Sequence, residues 1–217
     1  MKTEQVKFWE SDFGKEYTSR NTYNKEEWDN YYFKQYGLTK LDMNNEFLSD
    51  MNKGIKILEV GCNIGMQLKG LQDMGFKNLY GIELQYDAVE KSKSLYSGLN
   101  IIQGSGFDIP FKDNFFDLVC TNGVLIHISP EDIKKFIMEM VRCSSKYIWG
   151  FEYFSEKMVA LEYRGNKGFL WKNNFAKLIQ ELDPGFKITK EKKYPYINQL
   201  EKGNVDIMYL LEKQNKS

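Results

Sequence analysis

Ile57-Leu58-Glu59-Val60-Gly61-Cys62-Asn63-Ile64-Gly65 is the stretch that decides the fold of this chain. An apolar run of strand length ends in a turn marked by two glycines, and the amphipathic segment 66–74 follows it as a helix. Without a Cβ, Gly61 and Gly65 let the backbone approach a ligand closely. The first N–H groups of the following helix add unpaired donors and a partial positive charge. A second apolar strand, 79–82, ends in Glu83 with Leu84 beside it. A carboxylate there can accept two hydrogen bonds from a ribose diol, so turn and acid together describe a site for a nucleoside-containing cofactor. A dinucleotide site normally shows Gly-x-Gly-x-x-Gly, and the spacing Gly61 to Gly65 does not fit it.

Working outward, short apolar strands alternate with amphipathic helices. Strands are predicted over 55–60, 79–82, 101–103, 116–120, 147–151, 187–189 and 206–211. Helices are predicted over 66–74, 87–96, 130–141 and 173–182, the third opened by Ser129 as cap and Pro130 at its first position. This order implies a doubly wound α/β fold, with a mostly parallel sheet covered by helices on both faces and ligands beyond the carboxyl ends of the strands. Residues 53–217 read as that core domain, and 1–52 as a helical extension or lid. Within the extension, Trp28, Tyr31, Tyr32, Tyr36, Leu41 and Phe47 recur at roughly helical spacing, broken at Gly37, and are expected to be mostly core contacts.

The chain's 217 residues carry 30 Lys+Arg against 30 Asp+Glu, and this balance argues against a partner bound by neutralising many phosphates. No apolar run approaches the roughly 20 residues of a membrane-spanning helix. The opening residues place acids and aromatics where a leader would be apolar, so the expected location is the cytoplasm. Cys62, Cys120 and Cys143 form no C-x-x-C pair and are expected as buried free thiols, with no metal site. Arginine is limited to Arg20, Arg142 and Arg164, and histidine to His127.

The acid-x-Gly-x-x-x-Gly run from Glu59 to Gly65 resembles the first motif of the class I S-adenosylmethionine-dependent methyltransferases, with Asn63 in place of the middle glycine. Asparagine tolerates a left-handed backbone best among the alternatives, so the turn can survive. Gly104-Ser105-Gly106-Phe107-Asp108-Ile109-Pro110-Phe111 resembles the loop that covers adenine in this family. The resemblance implies that the adenine amino group is met by Ser105 or by Asp108. Asn114-Phe115-Phe116-Asp117-Leu118-Val119 resembles the fourth-strand motif. It leads into Thr121-Asn122-Gly123-Val124-Leu125-Ile126-His127-Ile128, the segment beside the methionine moiety and the transferred methyl. A narrower similarity, over 8–21, 59–65, 123–128, 152–153 and 163–165, is to methylases associated with pseudaminic acid biosynthesis. It implies a seven-stranded methyltransferase fold, S-adenosylmethionine as cofactor with S-adenosylhomocysteine as product, and a setting in bacterial surface-glycan or capsule metabolism. That label does not define the acceptor.

Tyr17 and Arg20 lie three apart on one helix face and can close over the cofactor, with the arginine pairing to its carboxylate. The bland alternative is a core tyrosine and a surface arginine. His127 follows the fourth strand and, with an ordinary pKa near 6.5, is suited to take a proton from an acceptor hydroxyl; a structural histidine is the alternative. Glu152 and Tyr153 end the fifth strand, and Tyr163 and Arg164 sit in the loop after it. Together they can bind a polar or anionic acceptor, or serve only as loop packing and solvated charge. Arg142 reads as a charge on a helix dipole, and Trp149 and Trp171 as core aromatics.

The leading reading is a methyltransferase of a hydroxyl or amine on a sugar, nucleotide-sugar or related small precursor, with the hydroxyl favoured. The other is an S-adenosylmethionine-binding partner or sensor of a glycan pathway without methyl transfer. The Asn/Asp-Pro-Pro-Tyr/Phe signature of amino-methylating nucleic-acid enzymes is absent, the corresponding run being Thr121-Asn122-Gly123-Val124. The oligomeric state stays open between monomer and dimer.

Overall fold

Four helices precede the first strand: α1 (Glu4–Glu10), α2 (Asp12–Arg20), α3 (Lys25–Tyr36) and α4 (Lys40–Leu48). Local chemistry sets their ends. Asn24 with Glu27, and Thr39 with Asp42, form reciprocal capping boxes, and Gly37 ends α3 in the left-handed conformation. The computed structural model describes residues 3–214. After these helices come β1 (Lys56–Val60), α5 (Met66–Asp73), β2 (Asn78–Glu83), α6 (Tyr86–Leu95), β3 (Asn100–Gln103) and β4 (Phe116–Asn122). The chain continues through α7 (Ile133–Cys143), β5 (Ser144–Tyr153), β6 (Val159–Tyr163), β7 (Asn166–Lys172), α8 (Phe175–Leu182), β8 (Phe186–Pro195) and β9 (Val205–Lys213).

Seven strands form one sheet in the order β3-β2-β1-β4-β5-β9-β8, parallel from β3 to β5, with β9 antiparallel to both β5 and β8. Alternation along β1 sends Leu58 and Val60 into one core with α7 and α8, and Ile57 into the other with α3, α4 and α5. Chain order reverses between β1 and β4, and there the two adjacent strands lead away from each other to leave a crevice at their carboxyl ends. Among the described residues no helix is long and apolar enough to cross a membrane. Cys62, Cys120 and Cys143 are free and buried, as are Trp149 and Trp171.

Three expectations change. Helix α7 begins at Ile133, not at Pro130, because Ser129 spends its hydroxyl on Asp132 Oδ2 (3.0 Å) and its carbonyl on a turn to Asp132 and Ile133 N–H. Arg142 is a clamp as well as a helix-end charge. Its guanidinium bonds Glu139 on its own helix and reaches Asp113 and the carbonyls of Ile109 and Phe111 in the loop after β3. The segment after β5 is a hairpin, β6–β7, rather than an open loop. Its two-residue turn is Arg164-Gly165, and both residues have positive φ (49° and 79°), the pattern of a type I′ turn.

Candidate functional site

A cavity of about 520 Å³ opens at the crevice between β1 and β4. Its floor is the turn from β1 into α5. Gly61 (φ 75°), Asn63 (φ 48°) and Gly65 (φ 84°) are all left-handed, so asparagine adopts the conformation expected of the missing glycine. Asn63 is also fixed on both sides, its N–H donating to Glu83 Oε2 (2.9 Å) and its Oδ1 accepting from Thr18 Oγ1 of α2 (3.1 Å). Gly61 must lack a side chain because an added Cβ would lie 2.8 Å from Val124 Cγ2. Glu83 Oε1 accepts from Gln85 N–H (3.0 Å), which leaves the carboxylate rigid at the end of β2 with lone pairs to spare. Ser105, Gly106 and Phe107 form the wall after β3. Gly106 passes so close to Phe136 that a Cβ would fall 2.2 Å from its ring.

Of the residues expected from sequence, Tyr17, Glu59, Gly61, Asn63, Glu83, Leu84, Ser105, Gly106, Phe107, Asn122 and Gly123 line this cavity. So do His127, Glu152, Tyr153, Tyr163 and Arg164. Gly65 shapes the turn from outside the lining, and Asp108 is exposed and likewise outside it. Arg20 is not brought to this cavity: it lies outside the lining, pairs with Glu16 one helical turn back (3.3 Å) and sits over the Phe13 ring. Spacing of three put it near Tyr17 along the helix, but α2 turns Arg20 toward solvent. The aromatic stripe of the extension is mostly core contact, as expected, and serves the cavity as well. Tyr32 and Phe47 are buried core with Trp28 and Tyr36 packed against it, and Trp28, Tyr31, Tyr32 and Tyr36 also form a wall of the cavity.

His127 lies in a short 3₁₀ turn after β4 and is held edge-on to Trp9 at 4.7 Å, with Tyr163 at 5.0 Å. Its Nδ1 is 2.7 Å from the Phe169 carbonyl, which can only accept, so Nδ1 carries the proton and Nε2 keeps a lone pair. Burial lowers its pKa to about 4, outweighing that hydrogen bond, and the imidazole is neutral near pH 7. Glu152 Oε1 accepts from Val124 N–H (3.2 Å), while Oε2 has no partner among the described residues. Burial pushes the Glu152 pKa up to about 7.

Sequence reasoning missed Trp9, Tyr196 and Asp206, which line the cavity, and Lys40, which lies outside the lining but holds the lining residue Asn122; none carries a motif. Lys40 is fully buried beneath the β1–β4 edge, its Nζ 3.2 Å from Asn122 Oδ1 and 3.8 Å from the centre of the Phe151 ring. Burial drives its pKa down to about 7 and that of Glu59 up to about 8, with their mutual attraction opposing both shifts. Glu59 Oε2 is buried without a hydrogen-bond partner.

These features fit an adenosyl amino acid. Glu83 suits a ribose diol and the 105–107 wall an adenine. The orphaned Glu59 oxygen, with Gly123, where an added Cβ would meet nothing within 4 Å, leaves polar space at the amino-acid end. Among the described residues, no group of three or more His, Cys, Asp or Glu could hold a metal ion.

Residues 58–146 match the family model described as a methyltransferase domain. Among curated proteins, an uncharacterized protein of Haemophilus influenzae is 29% identical over 93 residues, 40% of this chain and 37% of that protein. Norajmaline N-methyltransferase of Rauvolfia serpentina is 28% identical over 95 residues, 41% of this chain and 32% of that enzyme. The chain thus spans about a third of the length of these curated relatives. A Burkholderia thailandensis 1,6-didemethyltoxoflavin-N1-methyltransferase, solved with S-adenosylhomocysteine, superposes with a TM-score of 0.72 at 12% identity, covering 99% of this chain and 91% of that one. The seven-stranded, mostly parallel sheet is therefore the class I methyltransferase fold.

Proposed function

We propose that this chain is an S-adenosylmethionine-dependent methyltransferase acting on a small polar acceptor, a hydroxyl or amine of a sugar, nucleotide-sugar or related surface-glycan precursor. The observation that best supports this is one cavity at the β1–β4 switch point, shared by the glycine turn, Glu83, the 105–107 wall and His127. When bound, the cofactor supplies a methyl group already activated on its sulfonium, so the protein's share is placement and proton removal.

In this reading Glu83 holds the ribose, Ser105 meets the adenine, and Glu59 and Asn63 face the amino-acid end. His127 presents the free Nε2 lone pair to an acceptor proton and is unprotonated near pH 7, although burial makes it a weaker base than an ordinary imidazole. Glu152, Tyr153, Tyr163 and Arg164 surround the acceptor. Two of the similar proteins act, by their names, on nitrogen, which supports keeping amines beside hydroxyls. The glycan setting rests on the resemblance of the chain's ends to methylases associated with pseudaminic acid biosynthesis.

The test is release of S-adenosylhomocysteine from S-adenosylmethionine in a panel of hydroxyl- and amine-bearing monosaccharides and nucleotide-sugars. Release above the acceptor-free rate is expected with at least one of them. Tight S-adenosylhomocysteine binding with no turnover across the panel would favour a cofactor-binding sensor instead.

A further inference from the structure

At the carboxyl edge of β5 the acceptor side of the cavity divides, because Glu152 and Tyr153 point to opposite faces of the sheet. His127 and Tyr163 stand with Glu152. On the other arm Asp206 lies directly across from Tyr153 in the β5–β9 register and lines the cavity although only 7% exposed. The hydroxyls of Tyr36 and Tyr196 both donate to Asp206 Oδ2, the second at 2.9 Å. Among the described residues no donor is bonded to Oδ1. Tyr196 stacks on Tyr153 and meets Tyr36 edge-on at 5.3 Å, so three aromatic rings frame the carboxylate. Glu201, held by Gln35 Nε2 (2.9 Å), adds a second acid to this arm.

Nothing among the described residues neutralises Asp206 by an ion pair. Lys172 is committed to Asn204 Oδ1 (2.8 Å) and the face of Tyr153. Lys40 is committed to Asn122 and Phe151. Burial raises the Asp206 pKa to about 6, which leaves it ionised above neutrality. Neither lysine forms an ion pair with Asp206, although both charges favour its ionised form from a distance; a buried carboxylate bonded only to hydroxyls is stabilised further by a ligand that brings a positive charge to Oδ1. An anionic acceptor would face Glu152, Glu201 and Asp206, and Arg164 is the one lysine or arginine among the described lining residues. A protonated amine meets the opposite situation, a charge-assisted hydrogen bond to Oδ1 and the faces of tyrosine rings.

We infer that the acceptor carries an ammonium group and that Asp206, framed by Tyr36, Tyr153 and Tyr196, is the carboxylate that binds it. This rests on the methyltransferase reading and names the substrate class for the same site; it leaves open which acceptor atom receives the methyl. The competing roles for Asp206 are purely structural, tying α3 to the chain before β9, or holding the ammonium of the cofactor's own methionine.

The test is calorimetry on protein saturated with S-adenosylhomocysteine. The titrants are protonated amines of monosaccharide size, glucosamine among them, each paired with its N-acetylated form. The amines are expected to bind at least about tenfold more tightly than their acetamides. Asp206→Asn, which keeps an acceptor for both tyrosines, is expected to erase that preference without shifting the melting temperature or S-adenosylhomocysteine affinity. Equal affinity within every pair, including no binding by either member, overturns the inference. So does an Asp206→Asn variant that loses S-adenosylhomocysteine affinity, which would place Asp206 on the cofactor, or that only melts earlier while keeping the amine preference. If the unmodified protein fails to bind S-adenosylhomocysteine, the methyltransferase reading itself fails, a result separate from all of these.

Discussion

The proposed cofactor side and the proposed acceptor side of this cavity are built by different means. On the cofactor side the backbone does most of the shaping: three left-handed residues within five positions, N–H groups at a helix start, and a carboxylate fixed by the backbone N–H groups of Asn63 and Gln85. On the acceptor side the shape comes from side chains brought together over long sequence distances, such as Tyr36 with Asp206 and Trp9 with His127. A contiguous motif can specify the first kind of surface. Only the completed fold specifies the second, and it can vary the lining without disturbing the turn.

The sharpest way to break that contrast is Gly61→Val. A left-handed β-branched residue costs about 1–2 kcal/mol, and the collision with Val124 adds an overpacking penalty of about 1–3 kcal/mol. Chemical denaturation should register the sum, and titration should find no S-adenosylhomocysteine binding. Normal binding would show that the backbone turn is not what holds the cofactor.

His127→Ala should leave cofactor affinity intact and lower kcat by about 10²–10⁴-fold, the usual share of a general base. Unchanged turnover at saturating substrates would make His127 a packing residue. Its pKa also carries a stability signature. The unfolded chain's histidine takes up a proton near pH 6.5, whereas the folded one resists until about pH 4. Its contribution therefore destabilises the native state progressively as pH falls through that window, and is absent above it. Thermal unfolding from pH 7 to 4 should show that part of the slope disappear in His127→Ala.

The smallest effect is expected from Arg20→Ala. An exposed pair with Glu16 contributes at most about 0.5 kcal/mol, and the side chain is outside the cavity. A tenfold loss of S-adenosylhomocysteine affinity would mean that α2 moves to bring Arg20 onto the ligand.

Sequence pattern located the strands of the parallel sheet, the turn and Glu83 because each is a local signal of periodicity, glycine or strand end, whereas the 105–107 wall came from the resemblance to the methyltransferase family. It even anticipated the left-handed Asn63. The β6–β7 hairpin escaped notice because Arg164-Gly165 lacks the usual Asn-Gly or Asp-Gly turn pair, and its strands are only partly buried. Trp28, Tyr31 and Tyr36 showed helical spacing, but spacing alone does not say whether an aromatic face meets a core or a cavity. Lys40 and Asp206 carry no local mark at all. Their chemistry comes from burial, which only the packing of α3 and α4 onto the sheet edge creates.

The most direct test of the central claim is a calorimetric titration of the intact chain with S-adenosylhomocysteine and, separately, with NAD. One-to-one binding of S-adenosylhomocysteine, weakened by Glu83→Gln, and no binding of NAD are the expected results. Binding of NAD in its place, or S-adenosylhomocysteine binding indifferent to Glu83, would contradict the account.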